Sequence, residues 1–182
     1  MAAPAESFPQ HPMPWTVDEL LALPEDNGQR LELVDGAVIV SPAPTRRHQR
    51  LQHWLAFHLQ TVLPRGLAVE PGINVVLGES RLLIPDLAVT TTPGANGVYA
   101  AGSEVMIAVE ITSPSSRTYD RVLKRQLYAD AGVPYYLVVE AGPDVPVAVL
   151  YSFTEGGYVE AARSHDGVLK MGSPFEAVIE LA

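Results

Sequence analysis

Between Glu104 and Thr112 the chain runs Val105-Met-Ile-Ala-Val-Glu-Ile111, an apolar stretch broken only by Glu110. A strand with apolar side chains on both faces belongs in the middle of a sheet covered on both sides. An ionised carboxylate buried there costs on the order of several kcal/mol unless a cation or a set of hydrogen bonds compensates it. Whatever packs on this strand must therefore cover it and also supply a partner for Glu110. The run Leu82-Leu-Ile-Pro-Asp-Leu-Ala-Val89 poses the same problem, with Asp86 as the acid. Pro85 brings no N–H to a ladder, so the strand bulges or ends there and turns Asp86 out of the sheet. A loop over residues 92–103, with Gly94, Gly97 and Gly102, joins the two runs. That connection makes them candidate neighbours, with side chains about 5 Å apart across the pair. Two carboxylates at that spacing repel unless they share a proton or a divalent cation.

The remaining elements follow from punctuation and periodicity. Residues 1–14 read as a Pro/Ala-rich flexible arm, and 15–182 as a single domain, the size of one core. Thr16-Val-Asp-Glu19 is a capping-box pattern opening a short helix. Residues 30–40 read as a hairpin whose Asp35-Gly36 suits a type I′ turn. Residues 45–63 read as a helix with Leu51, Leu55, His58, Leu59 and Val62 on its inner face, ended by Pro64 and Gly66. Strands are expected at 67–77 (kinked near Pro71-Gly72), 81–91 and 104–112. A second helix is expected at 117–131, closed by Gly132, and further strands at 134–140, 145–153 and 157–162, with a short tail at 175–181. This order gives an α/β or α+β fold with a mixed sheet.

Composition narrows the function. The chain has no cysteine, which removes disulfides, thiolate metal sites and cysteine nucleophiles. No apolar run is long enough for a membrane span, and the N-terminus lacks the pattern of a signal peptide, so the expected location is cytoplasmic. The formal net charge of −9 argues against coating nucleic acid by bulk attraction. Positive charge is nevertheless concentrated. Arg46, Arg47 and Arg50 open a stretch free of acids up to Val69, and Arg117, Arg121, Lys124 and Arg125 cluster on the second helix. An acidic protein that gathers its cations at two helix starts is suited to meet an anion there.

Each candidate has an ordinary alternative. Asp120 and Lys124, four apart on a helix, make a common surface ion pair. Asp86 after a proline suits a turn, and Glu32, in the alternating run Leu31-Glu-Leu-Val-Asp, is free to face water. His48, His53 and His58 are spaced by five, about 140° per step on a helix, so they do not converge on one ion. His58 reads as core, His53 as surface, and His48 stays a site candidate in the basic first turn.

Taken together in order, these pieces resemble a known family. Leu31-Glu-Leu-Val-Asp-Gly36, Ser41-Pro-Ala-Pro44 with His48 beyond it, Pro85-Asp86, Val109-Glu-Ile-Thr-Ser-Pro-Ser-Ser116, Asp120 with Lys124, and Tyr128-Ala-Asp-Ala-Gly-Val-Pro-Tyr-Tyr136 resemble the Uma-type family of restriction-endonuclease-like proteins, within the PD-(D/E)xK nuclease superfamily. The resemblance implies a restriction-endonuclease-like core, a mixed β-sheet flanked by helices, and metal-dependent hydrolysis of DNA phosphodiester bonds. It makes Asp86, Glu110 and the backbone of Ile111 the ligands of Mg²⁺ or Mn²⁺. Thr112 stands where the superfamily places its lysine, and Lys124 on the following helix takes that role, giving Asp86, Glu110 and Lys124 as the catalytic set. Glu32, His48 and Asp120 are accessory, and Arg46, Arg47, Arg117 and Arg121 would contact DNA phosphates. A homodimer is expected, because two sites cut both strands of a two-fold duplex. The alternatives are an inactive binding or assembly module on the same fold, and a metal-dependent hydrolase of a small phosphate ester.

Overall fold

A computed structural model describes residues 13–23, 30–41, 43–112, 119–142 and 145–181, with the side chains of 119–121 excepted. Helix α1 (Val17–Leu21) starts at the expected capping box, in which Thr16 and Glu19 bond each other's backbone N–H. Strands β1 (Arg30–Val34) and β2 (Ala37–Ser41) form the expected hairpin. Its turn has positive φ at both Asp35 (49°) and Gly36 (80°), as a type I′ turn requires. Helix α2 (Arg46–Val62) is capped by Thr45, whose side chain accepts from the His48 N–H.

The two runs expected as single strands each divide between two sheets. The first becomes β3 (Ala68–Pro71) and β4 (Asn74–Gly78), and the second becomes β5 (Arg81–Leu83) and β6 (Leu87–Thr90). The break in the second falls at Ile84-Pro85-Asp86, where proline interrupts the ladder. Strands β7 (Tyr99–Ala101), β8 (Val105–Thr112), β9 (Tyr135–Glu140), β10 (Val147–Thr154), β11 (Gly157–Arg163), β12 (Val168–Met171) and β13 (Ala177–Glu180) complete the set. One sheet has the order β2-β1-β5-β4-β7, the second β11-β10-β9-β8-β6-β3, and β12 pairs with β13. Within the second sheet β8 is antiparallel to β6 and parallel to β9. The architecture is α+β, with mixed sheets and few helices.

Three apolar layers hold these parts together. On one face of the six-stranded sheet, Leu51, Leu55 and Leu59 of α2 pack with Ile107, Val109 and Ile111 of β8 and with the β12–β13 hairpin. On the other face, Leu127, Tyr128 and Ala129 of helix α3 (Arg125–Asp130) meet Ala88, Ala108, Tyr136 and Val138, along with Val75 and Leu83 from the first sheet. Trp15, Val17 and Leu20 cover Leu31, Leu33, Leu82 and Ile84. Strand β8 is therefore a central strand, with Met106 its one partly exposed residue. A π-helical turn (Tyr119–Lys124) leads into α3. His58, expected in the core, is half-buried instead, its ring 4.5 Å from Trp54 and 5.6 Å from Phe57. No helix among the described residues is long and apolar enough to cross a membrane.

Candidate active site

The two sheets meet where the chain passes from β5 to β6, and the buried charges gather there. Leu87 lies opposite Val109 and Ala88 opposite Ala108. Asp86, just before Leu87, accepts the Ile111 N–H through its Oδ2, which sets it beside Glu110. Because β1 pairs with β5 through Leu33 and Leu82, it brings Glu32 to the same seam. Glu32, Asp86, Glu110 and Lys124 are respectively 0, 3, 2 and 4% exposed. The alternation of β1 would have allowed Glu32 to face water, but the β1–β5 pairing turns it inward.

Lys124 bridges two of these acids. Its Nζ lies 2.8 Å from Glu32 Oε1 and 2.9 Å from Glu110 Oε1. Lys124 is thus a buried ammonium held by acids from two sheets and not a surface cation. Glu32 Oε1 also accepts the Ile84 N–H (2.8 Å), and the Ser41 hydroxyl donates to Oε2 (3.3 Å). Tyr128, one helical turn beyond Lys124, donates its hydroxyl to Glu110 Oε1 (3.2 Å). Burial pushes the Tyr128 hydroxyl well above its ordinary value, and the charges of Glu110 and Glu32 add to this, so it remains a donor.

Asp86 is held from three sides. Its Oδ1 lies 2.9 Å from His48 Nε2 and 3.1 Å from an Arg30 terminal nitrogen, and its Oδ2 accepts the Ile111 N–H at 2.7 Å. Gln52 donates to the Asp86 carbonyl (2.7 Å), so α2 grips this residue with two side chains one turn apart. Burial alone would push the Asp86 carboxyl up. The His48 hydrogen bond and charge, the Arg30 charge and the Ile111 N–H outweigh that and hold it below the usual carboxylate value. Arg30 also donates to the Ile84 carbonyl. Burial opposes the Arg30 charge, and the fields of Asp86, Glu110 and Glu32 more than restore it.

Of the residues expected at the site, the structure brings together Asp86, Glu110, Lys124, Glu32, His48 and the backbone of Ile111. Arg46 and Arg47 are exposed on the first turn of α2, and Arg46 lines an open groove with Arg50, Trp54 and Phe57. Arg117 and the side chains of Asp120 and Arg121 lie outside the described residues. Sequence reasoning missed Arg30, Ser41, Gln52 and Tyr128. Two of them carried a signal: Arg30 shares a strand face with Glu32 at period two, and Tyr128 shares a helix face with Lys124 at i+4.

Among the described residues, no group of three or more acids or histidines is arranged to hold a metal ion. The donor chemistry nevertheless fits a hard divalent cation. Asp86, held on the Ile111 N–H, and Glu110, the residue before Ile111, are two buried carboxylates at one seam, and Mg²⁺ is held by one or two carboxylates, with water and substrate oxygens filling its remaining positions. The third acid, Glu32, is turned to Lys124.

Comparison with known proteins places the chain in a family and beside a solved structure. A family described as "Uma2: Putative restriction endonuclease" matches residues 17–181. A solved structure from Anabaena variabilis, titled as that of "a putative nuclease belonging to DUF820", is similar with a TM-score of 0.66 at 20% identity. The similarity covers 81% of this chain and 84% of that one, which shows a shared fold. No curated protein matches.

Proposed function

The chain belongs to the Uma2 restriction-endonuclease family, and on that footing we propose that it is a metal-dependent endonuclease hydrolysing DNA phosphodiester bonds. The observation that carries this reading is the buried Lys124 ammonium, fixed by Glu32 and Glu110 at the seam that also holds Asp86. Asp86, Glu110 and the Ile111 carbonyl would hold Mg²⁺ or Mn²⁺. When bound, such an ion supplies Lewis acidity and a bound water of lowered pKa. His48 and Gln52 fix the Asp86 carboxylate and backbone against α2, so that its oxygens are presented in one orientation. Glu32 keeps the lysine in the site, since its own oxygens are committed to Lys124, Ile84 and Ser41. From there Lys124 orients the attacking water and stabilises charge developing on the phosphate. Arg46, Arg47, Arg117 and Arg121 would hold flanking phosphates, which positions a strand without reading its sequence. A homodimer would present two such sites to the two strands.

The test is cleavage of supercoiled plasmid and of labelled single- and double-stranded oligonucleotides, with Mg²⁺, with Mn²⁺ and in chelator. We expect nicking that requires the metal and falls at least about a hundredfold in Glu110→Gln, the scale of losing one preorganised electrostatic group. Absence of cleavage of every substrate in both metals would overturn the proposal in favour of a non-catalytic module, and hydrolysis confined to small phosphate esters would replace the substrate.

A further inference from the structure

Arg30 was absent from the expected site, yet it makes the charge contact that most directly concerns a cation at Asp86. Asp86 Oδ1 already has two donors, His48 Nε2 and the Arg30 guanidinium, and Oδ2 has the Ile111 N–H. A carboxylate oxygen has two lone-pair directions, so a cation coordinated at Oδ1 must displace one of its donors, and one at the open direction of Oδ2 is opposed by the Arg30 charge beside it. The two donors differ in freedom. His48 sits in the first turn of a 17-residue helix whose inner face is packed into the core. Arg30 opens β1 on a long side chain that is 26% exposed. Arg30 is therefore the donor that can leave.

It also has capacity to spare. One terminal nitrogen serves Asp86 and the other the Ile84 carbonyl, while Nε is buried with no hydrogen-bond partner among the described residues. With Nε unused, release of the bond to Asp86 gives the fork a second donor for bidentate contact with a phosphate. The charges agree. Glu32, Asp86 and Glu110 carry three negative charges, and Arg30 and Lys124 two positive ones, leaving one negative before His48 is counted. A divalent cation turns that into one positive, and a phosphodiester returns the site to neutrality.

We propose that Arg30 is the resident counter-ion of Asp86 in the metal-free protein, and that on cation binding its guanidinium turns to the substrate phosphodiester. This rests on the endonuclease reading and adds a substrate-binding residue to it. In the metal-free state Arg30 competes with the cation; in the loaded state it supplies positive charge to the phosphate.

The test uses Mn²⁺ titration by calorimetry, binding of a non-cleavable phosphorothioate oligonucleotide, and plasmid cleavage, on wild type, Arg30→Gln and Arg30→Lys. Removing a competing positive charge within a few ångströms of a divalent ion should tighten Mn²⁺ binding in Arg30→Gln by at least about tenfold, while oligonucleotide binding and cleavage fall. Arg30→Lys keeps the charge without the fork. Its Mn²⁺ affinity should stay within about threefold of wild type, and its oligonucleotide affinity in Mn²⁺ should fall about tenfold, because a point charge cannot replace a bidentate contact. A purely structural strut would make Mn²⁺ binding unchanged or weaker in Arg30→Gln, and that result overturns the proposal. Should Arg30→Gln fail to fold, wild-type oligonucleotide affinity in Arg30→Lys overturns it alone. Metal binding and cleavage by wild type with no shift in the variants defeats the Arg30 inference and leaves the endonuclease reading standing. Absence of Mn²⁺ binding in every protein defeats both.

Discussion

At the residue scale, Lys124 distinguishes a site from an ornament on a helix. An exposed pair with Asp120 would contribute at most about 0.5 kcal/mol. A buried ammonium between two acids is another case, since removing it leaves uncompensated charge, at a cost of about 3–5 kcal/mol. Lys124→Met should therefore destabilise the metal-free protein by that amount in urea denaturation, and adding Glu32→Gln to it should recover part of the loss. Cleavage by Lys124→Met should fall about a hundred- to a thousandfold; full cleavage would remove the lysine from the mechanism and leave the metal site intact. Asp86 makes a pH prediction. Its folded carboxyl sits below its ordinary value, so the stability it contributes is complete above the unfolded value, about pH 4, and fades as pH drops through the folded value. In chelator, Asp86→Asn should be less stable than wild type at pH 7, and the gap should narrow below about pH 4. A gap that stays constant down to pH 3 would mean the carboxylate's charge is not what the fold uses. The sequence made these acids visible because charge inside an apolar run needs a partner. It did not show which partners they take, because Arg30 and Lys124 reach them from different elements.

At the element scale, the same logic explains what was legible and what was not. The β1–β2 hairpin was readable because a two-residue turn with Asp35-Gly36 has few solutions, α1 because a capping box opens it, and α2 because its apolar residues recur at helical spacing up to Pro64 and Gly66. Runs 67–77 and 81–91 looked like single strands because alternation says which face a residue takes, and says nothing about which sheet the strand joins. Strand β7 hid in a glycine-rich connection, and the β12–β13 hairpin in short segments with little periodicity. The π-helical turn ending at Lys124 has no local sequence signature, so the i,i+4 relation of Asp120 to Lys124 suggested a surface pair. Gly36 offers the element-scale prediction. Its φ of 80° is in the left-handed region, a Cβ there would collide with Pro14, and its carbonyl accepts the Trp15 N–H at 2.9 Å. Gly36→Ala should cost about 1 kcal/mol or more, read in urea denaturation. An unchanged midpoint would show that the hairpin and the Trp15 segment shift without strain.

At the scale of the whole molecule, the site lies on a seam. Glu32 comes from one sheet, Glu110 from the other, and Asp86 from the passage between them, with α2 and α3 closing on opposite faces. A cation that joins Asp86 to Glu110 therefore binds the folded molecule and has no site on the open chain. At a hundred times its dissociation constant it should add about 2.7 kcal/mol, which for a chain of this size raises Tm by roughly 5–10 °C. Differential scanning calorimetry with Mn²⁺ checks this, and the shift should vanish in Glu110→Gln; an equal shift in that variant would place the ion elsewhere. The seam also bears on how the protein is made. Arg30 and Glu32 leave the ribosome ahead of Lys124 and Tyr128, and ahead of the strand β9 that flanks β8. A nascent or truncated chain holds the acids without the lysine that organises them. In the proposed nuclease, cutting ability would arrive only with Lys124 and the helix that carries it.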